Sequence, residues 1–278
     1  MIRQGLSLLT KDDRDFQLGQ LVTYPKLSEL PESFSLIPLT IKDQNANGDD
    51  DACSGYVTAS ISEMQEDIPL SGRYSFAVGK YIAGGDIDSF GNDLRSAMKA
   101  GAMGITQENA LTGADLALST HDRRILDNYS IQARSIAIQH AKKAYVQTKG
   151  PYDAFDNLRC ALWLYREEKR AIAIGLQWGW NLSDYILVGT PEGFGHAMYG
   201  IGFDGDYLKV VNSAGKDAGR DGIHLISRET INHYISLYGA YMYIDLTPEE
   251  VKYLLSHNIK TNDNWVIALF KAFFNTFV

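Results

Sequence analysis

Cys53-Ser54-Gly55-Tyr56-Val57-Thr58-Ala59-Ser60-Ile61-Ser62-Glu63 is the stretch whose reading decides the fold. Val57, Ile61 and Met64 recur at helical spacing and Pro69 closes the segment, so a helix is expected over 53–67 with Cys53 at its start. That position suits a reactive thiol, because the unpaired N–H groups and positive dipole end of a helix favour thiolate. A cysteine nucleophile also needs a histidine to hold its proton and a third group to orient the ring. Of six histidines, His196 fits: it follows Gly193-Phe194-Gly195 and opens the apolar run Ala197 to Phe203, which reads as a strand. Asn212 lies sixteen residues on, at the end of the next expected strand. A hairpin through Asp204-Gly205-Asp206 would return its amide to His196.

The composition agrees with an ordinary globular chain: 278 residues, 45% hydrophobic and 22% charged. A net charge of −8 without a basic block excludes a surface that tracks nucleic-acid phosphates. Two cysteines, Cys53 and Cys160, are too few for a disulfide framework and have no zinc spacing. Cys160, in Leu158-Arg159-Cys160-Ala161-Leu162-Trp163, reads as helical core. The other histidines (His121, His140, His224, His233 and His257) form no metal-ligand pattern, and no cofactor is expected. No run reaches the roughly 18 apolar residues of a membrane span, and the N-terminus turns charged at Lys11 to Asp13 without a secretory core. The expected location is therefore cytoplasmic or virion-associated.

Periodicity divides the chain into unlike halves. Residues 92–103 and 114–148 read helical, like 53–67. From Ala171 onward short apolar or alternating runs follow: 171–176, 185–188, 197–203, 207–211, 223–226 and 241–244. No linker or repeat separates the halves, so an α+β unit is expected, helical over about 53–165 and β over about 171–246.

The order and spacing of these residues resemble those of papain-like cysteine peptidases. Members carry a Gln before the Cys, a helix from the Cys, a His opening a strand, and an Asn-Ser pair sixteen residues later. Here these are Gln44, Cys53, His196 and Asn212-Ser213. Glu63 stands where the family's first helix commonly has Glu, and Leu30-Pro31-Glu32-Ser33-Phe34 resembles the usual mature start. The resemblance implies a helical half and an antiparallel β-barrel-like half with the active site in the cleft between them. It implies Cys53 as nucleophile, His196 as general base, Asn212 as its orienting group, and Gln44 with the Cys53 N–H as oxyanion hole. Peptide bonds would be hydrolysed through a thioester acyl-enzyme.

Two positions depart from the family pattern. Gln44 precedes Cys53 by nine residues instead of six. Ala214 follows Asn-Ser where the family has an aromatic ring, which implies a wetter His–Asn bond. Asp49, Asp50 and Asp51 crowd the nucleophile, and their effect on the thiol depends on geometry. Asp43, Asn45, Asn47, Asp49 and Asp51 also make a weak calcium-loop candidate, with Ser54 where that loop needs a bidentate Glu.

Residues 1–30 are expected to form an N-terminal arm, shorter than the family's long propeptide, and 31–246 the peptidase domain. Residues 247–278 should form a C-terminal helical extension whose aromatic residues, Trp265 to Phe277, could dock a protein partner. Besides the peptidase, two readings stay open: a catalytically impaired structural protein of a larger assembly, and an acyl transferase or amidase using the same Cys and His.

Overall fold

The computed structural model describes residues 5–9, 12, 15–46, 48–179, 181–183, 185–188 and 193–260. In chain order the helices and strands are β1 (Leu6–Ser7), α1 (Leu18–Leu21), β2 (Ser33–Ser35), α2 (Cys53–Glu66), α3 (Gly72–Ala83), β3 (Asn92–Asp93), α4 (Leu94–Met103), α5 (Gly113–Leu116) and α6 (Ile131–Gln139). There follow β4 (Ala144–Gln147), α7 (Ala154–Leu164), β5 (Ile172–Gln177), β6 (Asn181–Ser183), β7 (Ile186–Val188), β8 (Gly195–Asp204), β9 (Tyr207–Val211) and β10 (Ile223–Ser227). The last three are α8 (Arg228–Tyr238), β11 (Ala240–Ile244) and α9 (Pro248–Ser256).

The helix expected from Cys53 is α2. Every residue from Cys53 to Met64 is buried, because α2 lies under α3 and α4 on one side and the sheet on the other. Val57, Ile61 and Met64 share one apolar cluster with Ile174, Ala197 and Met198 of β5 and β8. Glu63 is fully buried as well, and Lys42 neutralises it at 2.9 Å while Thr40 and the Leu70 N–H fill its remaining acceptor sites. That pairing ties the strand-like approach to the nucleophile loop onto the helix, since a buried carboxylate left unpaired costs several kcal/mol.

The β half is one sheet in the order β4-β11-β5-β8-β9-β10-β7-β6, with β2 added to β8. Its pairs are antiparallel except β10 with β7. Among the described residues it stays open, ending at β4 and β6, so the barrel-like half is an open, mainly antiparallel sheet. The 8–9 hairpin turns through Gly205, at φ 54, as its Asp-Gly-Asp turn predicts.

The reading of 114–148 as continuous helix is corrected. Ser130 caps a new helix through the Ala133 N–H, and Thr112 caps another through Asp115, so the stretch breaks into α5, short 3-10 turns and α6. Its last four residues, Ala144-Tyr145-Val146-Gln147, form β4 because they pair with Tyr241 to Ile244 at the sheet's edge. Tertiary pairing overrides an Ala-rich local preference there.

The N-terminal segment has two parts. From Asp15 on it belongs to the body: Leu18, Leu21, Val22 and Tyr24 are buried in the main cluster, and Arg95 donates three hydrogen bonds to the Asp15 carboxylate at 2.6–2.9 Å. Residues 5–9 instead lie along the cleft. At the other end Thr247 accepts from the Glu250 N–H, with Pro248 in the first turn, so α9 begins as expected. Residues Trp265 to Phe277 fall outside the described residues. Among the described residues no helix is long and apolar enough to cross a membrane.

Candidate active site

Three elements bring the predicted residues together. Helix α2 presents Cys53 at its first position, β8 carries His196 at its second residue, and Asn212 follows the last residue of β9. The β8–β9 register pairs Tyr199 with Val211, so the strand ends meet and place Asn212 beside His196. His196 Nε2–H donates to Asn212 Oδ1 at 2.8 Å. This leaves Nδ1 as the ring nitrogen for a proton from sulfur. Sulfur itself is held against the histidine strand: the N–H of Ala197, next to His196, donates to Cys53 Sγ at 3.4 Å. The N–H groups of Ser54 and Cys53, at the open end of α2, also favour a thiolate there.

Gln44 is buried and fixed from both ends of its amide. Its Oε1 accepts from Ser213 Oγ at 2.6 Å, and its Nε2 donates to the Asp50 carbonyl at 2.9 Å. The longer Gln-to-Cys loop is thus folded back on the Asn212-Ser213 segment, and an amide group has a second N–H besides the one given to Asp50.

Two of the three aspartates are paired with arginines. Asp49 is buried, paired with Arg123 at 2.8 Å and Arg73 at 3.7 Å, and accepts from Tyr56 Oη at 2.7 Å. Asp51 is paired with Arg124 at 2.9 Å and accepts from the Gly91 N–H at 3.3 Å. Asp50 is exposed. The carboxylates of the calcium-loop candidate face guanidinium groups, and Asp43 Oδ1 accepts from the Asn45 and Ala46 N–H groups. Asn47 lies outside the described residues, and among those described no group of three or more His, Cys, Asp or Glu could hold a metal ion.

Comparison with solved structures decides the architecture. The chain superposes on xylellain, a cysteine protease from Xylella fastidiosa, with a TM-score of 0.67 over 88% of this chain and 98% of that one, at 18% identity.

The chain has the papain-like fold.

The proCathepsin B S9 of Trypanosoma congolense matches over 87% of each chain with TM-score 0.58 and 17% identity. Bromelain of Ananas comosus, in complex with the E64 inhibitor, matches over 77% of this chain and 98% of that one, with TM-score 0.51 and 16% identity. No protein-family model matches the sequence, and no curated protein matches it.

In this papain-like cleft the chain's own N-terminal strap lies across the sulfur. Gly5 N–H donates to Gly195 O at 3.1 Å on the sheet side, and Asn92 N–H donates to Gly5 O at 3.3 Å on the helical side. The same Gly5 carbonyl accepts from Cys53 Sγ–H at 3.4 Å. Leu6 then pairs in parallel with Asn92 as part of β1 and is 2% exposed. Its close approach requires glycine at 195: a Cβ there would lie 1.9 Å from the Leu6 carbonyl oxygen. The sequence left the role of this arm open among a tether, an anchor and a strap across the surface, because Gly5-Leu6-Ser7-Leu8-Leu9 is too short to show a period.

Burial sets the protonation of the site. Burial pushes the Cys53 thiol up from its ordinary 9.0 to about 12, outweighing the N–H groups of Ala197, Ser54 and Cys53, with Asp51 a lesser raising influence. Burial likewise pushes His196 down from 6.5 to about 4 against the Asn212 hydrogen bond, with His224 lowering it further. The covered pair is therefore neutral thiol and neutral imidazole, which agrees with sulfur donating to a carbonyl.

Aromatic rings complete the surroundings of His196. The Trp178 ring lies 5.1 Å from it at 52°, and Phe194 stands edge-on at 6.4 Å and 85°. Trp178 also meets His224 edge-on at 5.9 Å. Sequence reading passed over Trp178, which lies outside every family motif; only the register of β5 on β8, with Gln177 opposite Gly195, carries it to the histidine.

Proposed function

We propose that the chain is a cysteine peptidase whose site is Cys53, His196 and Asn212 with Gln44, and that the strap at residues 5–9 holds it latent. One observation carries this above the others: the backbone of the residue after His196 touches Cys53 Sγ while His196 itself is hydrogen-bonded to Asn212. The papain-like fold supports it, since xylellain, on which the chain superposes, is a cysteine protease.

Once the strap leaves, water and substrate relieve the burial that keeps the pair neutral. The Cys53 proton passes to His196 Nδ1, and Sγ attacks the peptide carbonyl carbon. Negative charge gathers on the carbonyl oxygen and is met by the Cys53 N–H and the Gln44 amide. The intermediate collapses to a thioester as His196 gives its proton to the leaving amine. Water, deprotonated by the same nitrogen, then splits the thioester and restores the thiol. Asn212 keeps the imidazole in the tautomer with hydrogen on Nε2 throughout.

The test is labelling with an epoxide-type thiol inactivator and assay against a peptide library, for the full chain with the strap opened by Leu6→Ala, alone and combined with Cys53→Ala or His196→Ala. Labelling at Cys53 that depends on His196, with peptide cleavage lost in both variants, is the expected result. Labelling no faster than a free thiol, with no cleavage, would leave the impaired structural reading; labelling with transfer to an amine but no hydrolysis would leave the transferase.

A further inference from the structure

Position 214 lacks the ring that shields the histidine in the family pattern, yet His196 is not left against water: it is 7% exposed. The covering ring comes from another part of the sheet. Strand β5 pairs with β8 so that Leu176 faces His196 and Gln177 faces Gly195. The next residue, Trp178, donates its backbone N–H to the Phe194 carbonyl at 2.8 Å, which pins it at the mouth of β8. The two segments approach so closely that a Cβ at Gly193 would lie 1.3 Å from the Trp178 carbonyl oxygen. From this anchor the indole sits 5.1 Å from the imidazole, tilted at 52°, and meets His224 edge-on at 5.9 Å. His224 is 1% exposed and neither of its ring nitrogens has a hydrogen-bond partner among the described residues.

We propose that Trp178 is a positioning residue for His196: its indole supplies from the end of β5 the wall that Ala214 does not, holding the imidazole in the rotamer that donates to Asn212 Oδ1 and excluding water from that bond. The role rests on the peptidase reading only for its catalytic consequence. Two physical effects follow from an aromatic ring at this distance. A hydrogen bond kept dry is stronger than one open to solvent, so the Nε2–H stays on one acceptor. A π-face beside the ring also favours imidazolium, the form His196 takes once sulfur has lost its proton. Neither effect is available from a methyl group at 214.

The experiment uses the full chain with 15N-labelled histidine, as wild type, Trp178→Phe and Trp178→Leu, each first checked by thermal melting. Proton exchange at His196 Nε2–H and the tautomer shifts of its ring report the bond to Asn212 without requiring activity. In Trp178→Leu the exchange should quicken by about 10-fold or more and kcat should fall on the order of 100-fold with KM little changed, as for a misoriented base. Trp178→Phe, which keeps a ring, should stay close to wild type in both. Exchange and tautomer in Trp178→Leu equal to wild type would overturn the proposal. If Leu fails to fold, the same decision rests on Trp178→Phe against Trp178→Met, where the ring is lost but bulk is kept. A strap-opened Leu6→Ala form that cleaves no peptide would sink the peptidase reading alone, since the exchange measurement still decides Trp178.

Discussion

Leu6→Ala gives the sharpest test of the latent state. Leu6 is 2% exposed in the closed strap, and one of its methyl carbons lies beside Gly175 in β5, next to Tyr238. Truncating a buried leucine to alanine costs about 3 kcal/mol, and here the loss falls on strap closure, because residues from Asp15 on are held independently by Arg95. Such a loss shifts the closed-to-open ratio on the order of 100-fold. A small neutral alkylating reagent reaches Cys53 only in the open form, so its second-order rate should rise by up to that factor. Mass spectrometry would read the adduct at Cys53, with Cys160 as an internal control. Gly195→Ala attacks the same closure from the neighbouring strand β8, where the added Cβ would meet the Leu6 carbonyl at 1.9 Å. Both variants should speed labelling. If both label Cys53 at the wild-type rate, the strap does not guard the sulfur and the latency proposal fails.

Other outcomes follow from the same geometry. Strap closure should weaken on both sides of neutrality. Cys53, raised from 9.0 to about 12, contributes to closure fully below 9.0 and loses it as pH rises toward about 12. His196, lowered from 6.5 to about 4, contributes above 6.5 and loses it as pH falls through about 4. Hydrogen exchange of the Gly5 and Asn92 amides should therefore be slowest between those limits once corrected for intrinsic rates, and a corrected profile flat from pH 4 to 10 would contradict this. Gln44→Ala should lower kcat about 100-fold with little change in KM, as for loss of one oxyanion donor, and an unchanged kcat would remove Gln44 from the site. Asp49→Ala leaves Arg123 and Arg73 without their buried partner and should cost about 3 kcal/mol in a denaturant melt; a change below about 0.5 kcal/mol would refute the pairing.

Much of the fold was legible because its determinants are local. The period of Val57, Ile61 and Met64 marked α2, and the turn at Gly205 marked the hairpin that returns Asn212 to His196. Strands at 207–211 and 223–226 were readable from alternation alone and differ from the structure by one residue at most. What failed was also local: the Ala-rich stretch to 148 carries helix preference, but its end is claimed by the exposed edge of β11. The aspartates at 49–51 illustrate the other limit. Their proximity in sequence left their effect on sulfur open, and the pairing of Asp49 with Arg123 and of Asp51 with Arg124, more than seventy residues away in sequence, leaves Asp51 a lesser influence than burial.

By itself the sequence singled out Cys53, His196 and Asn212 as the candidate site, because a helix start, a strand start and a hairpin are each encoded within about twenty residues. Only the tertiary structure decided what surrounds them: Gly5 over the sulfur, Trp178 on the imidazole, and arginines on the acidic loop. Those neighbours come from distant segments, and which side chain fills a gap depends on register and close packing, properties that exist only once the sheet and helices have met.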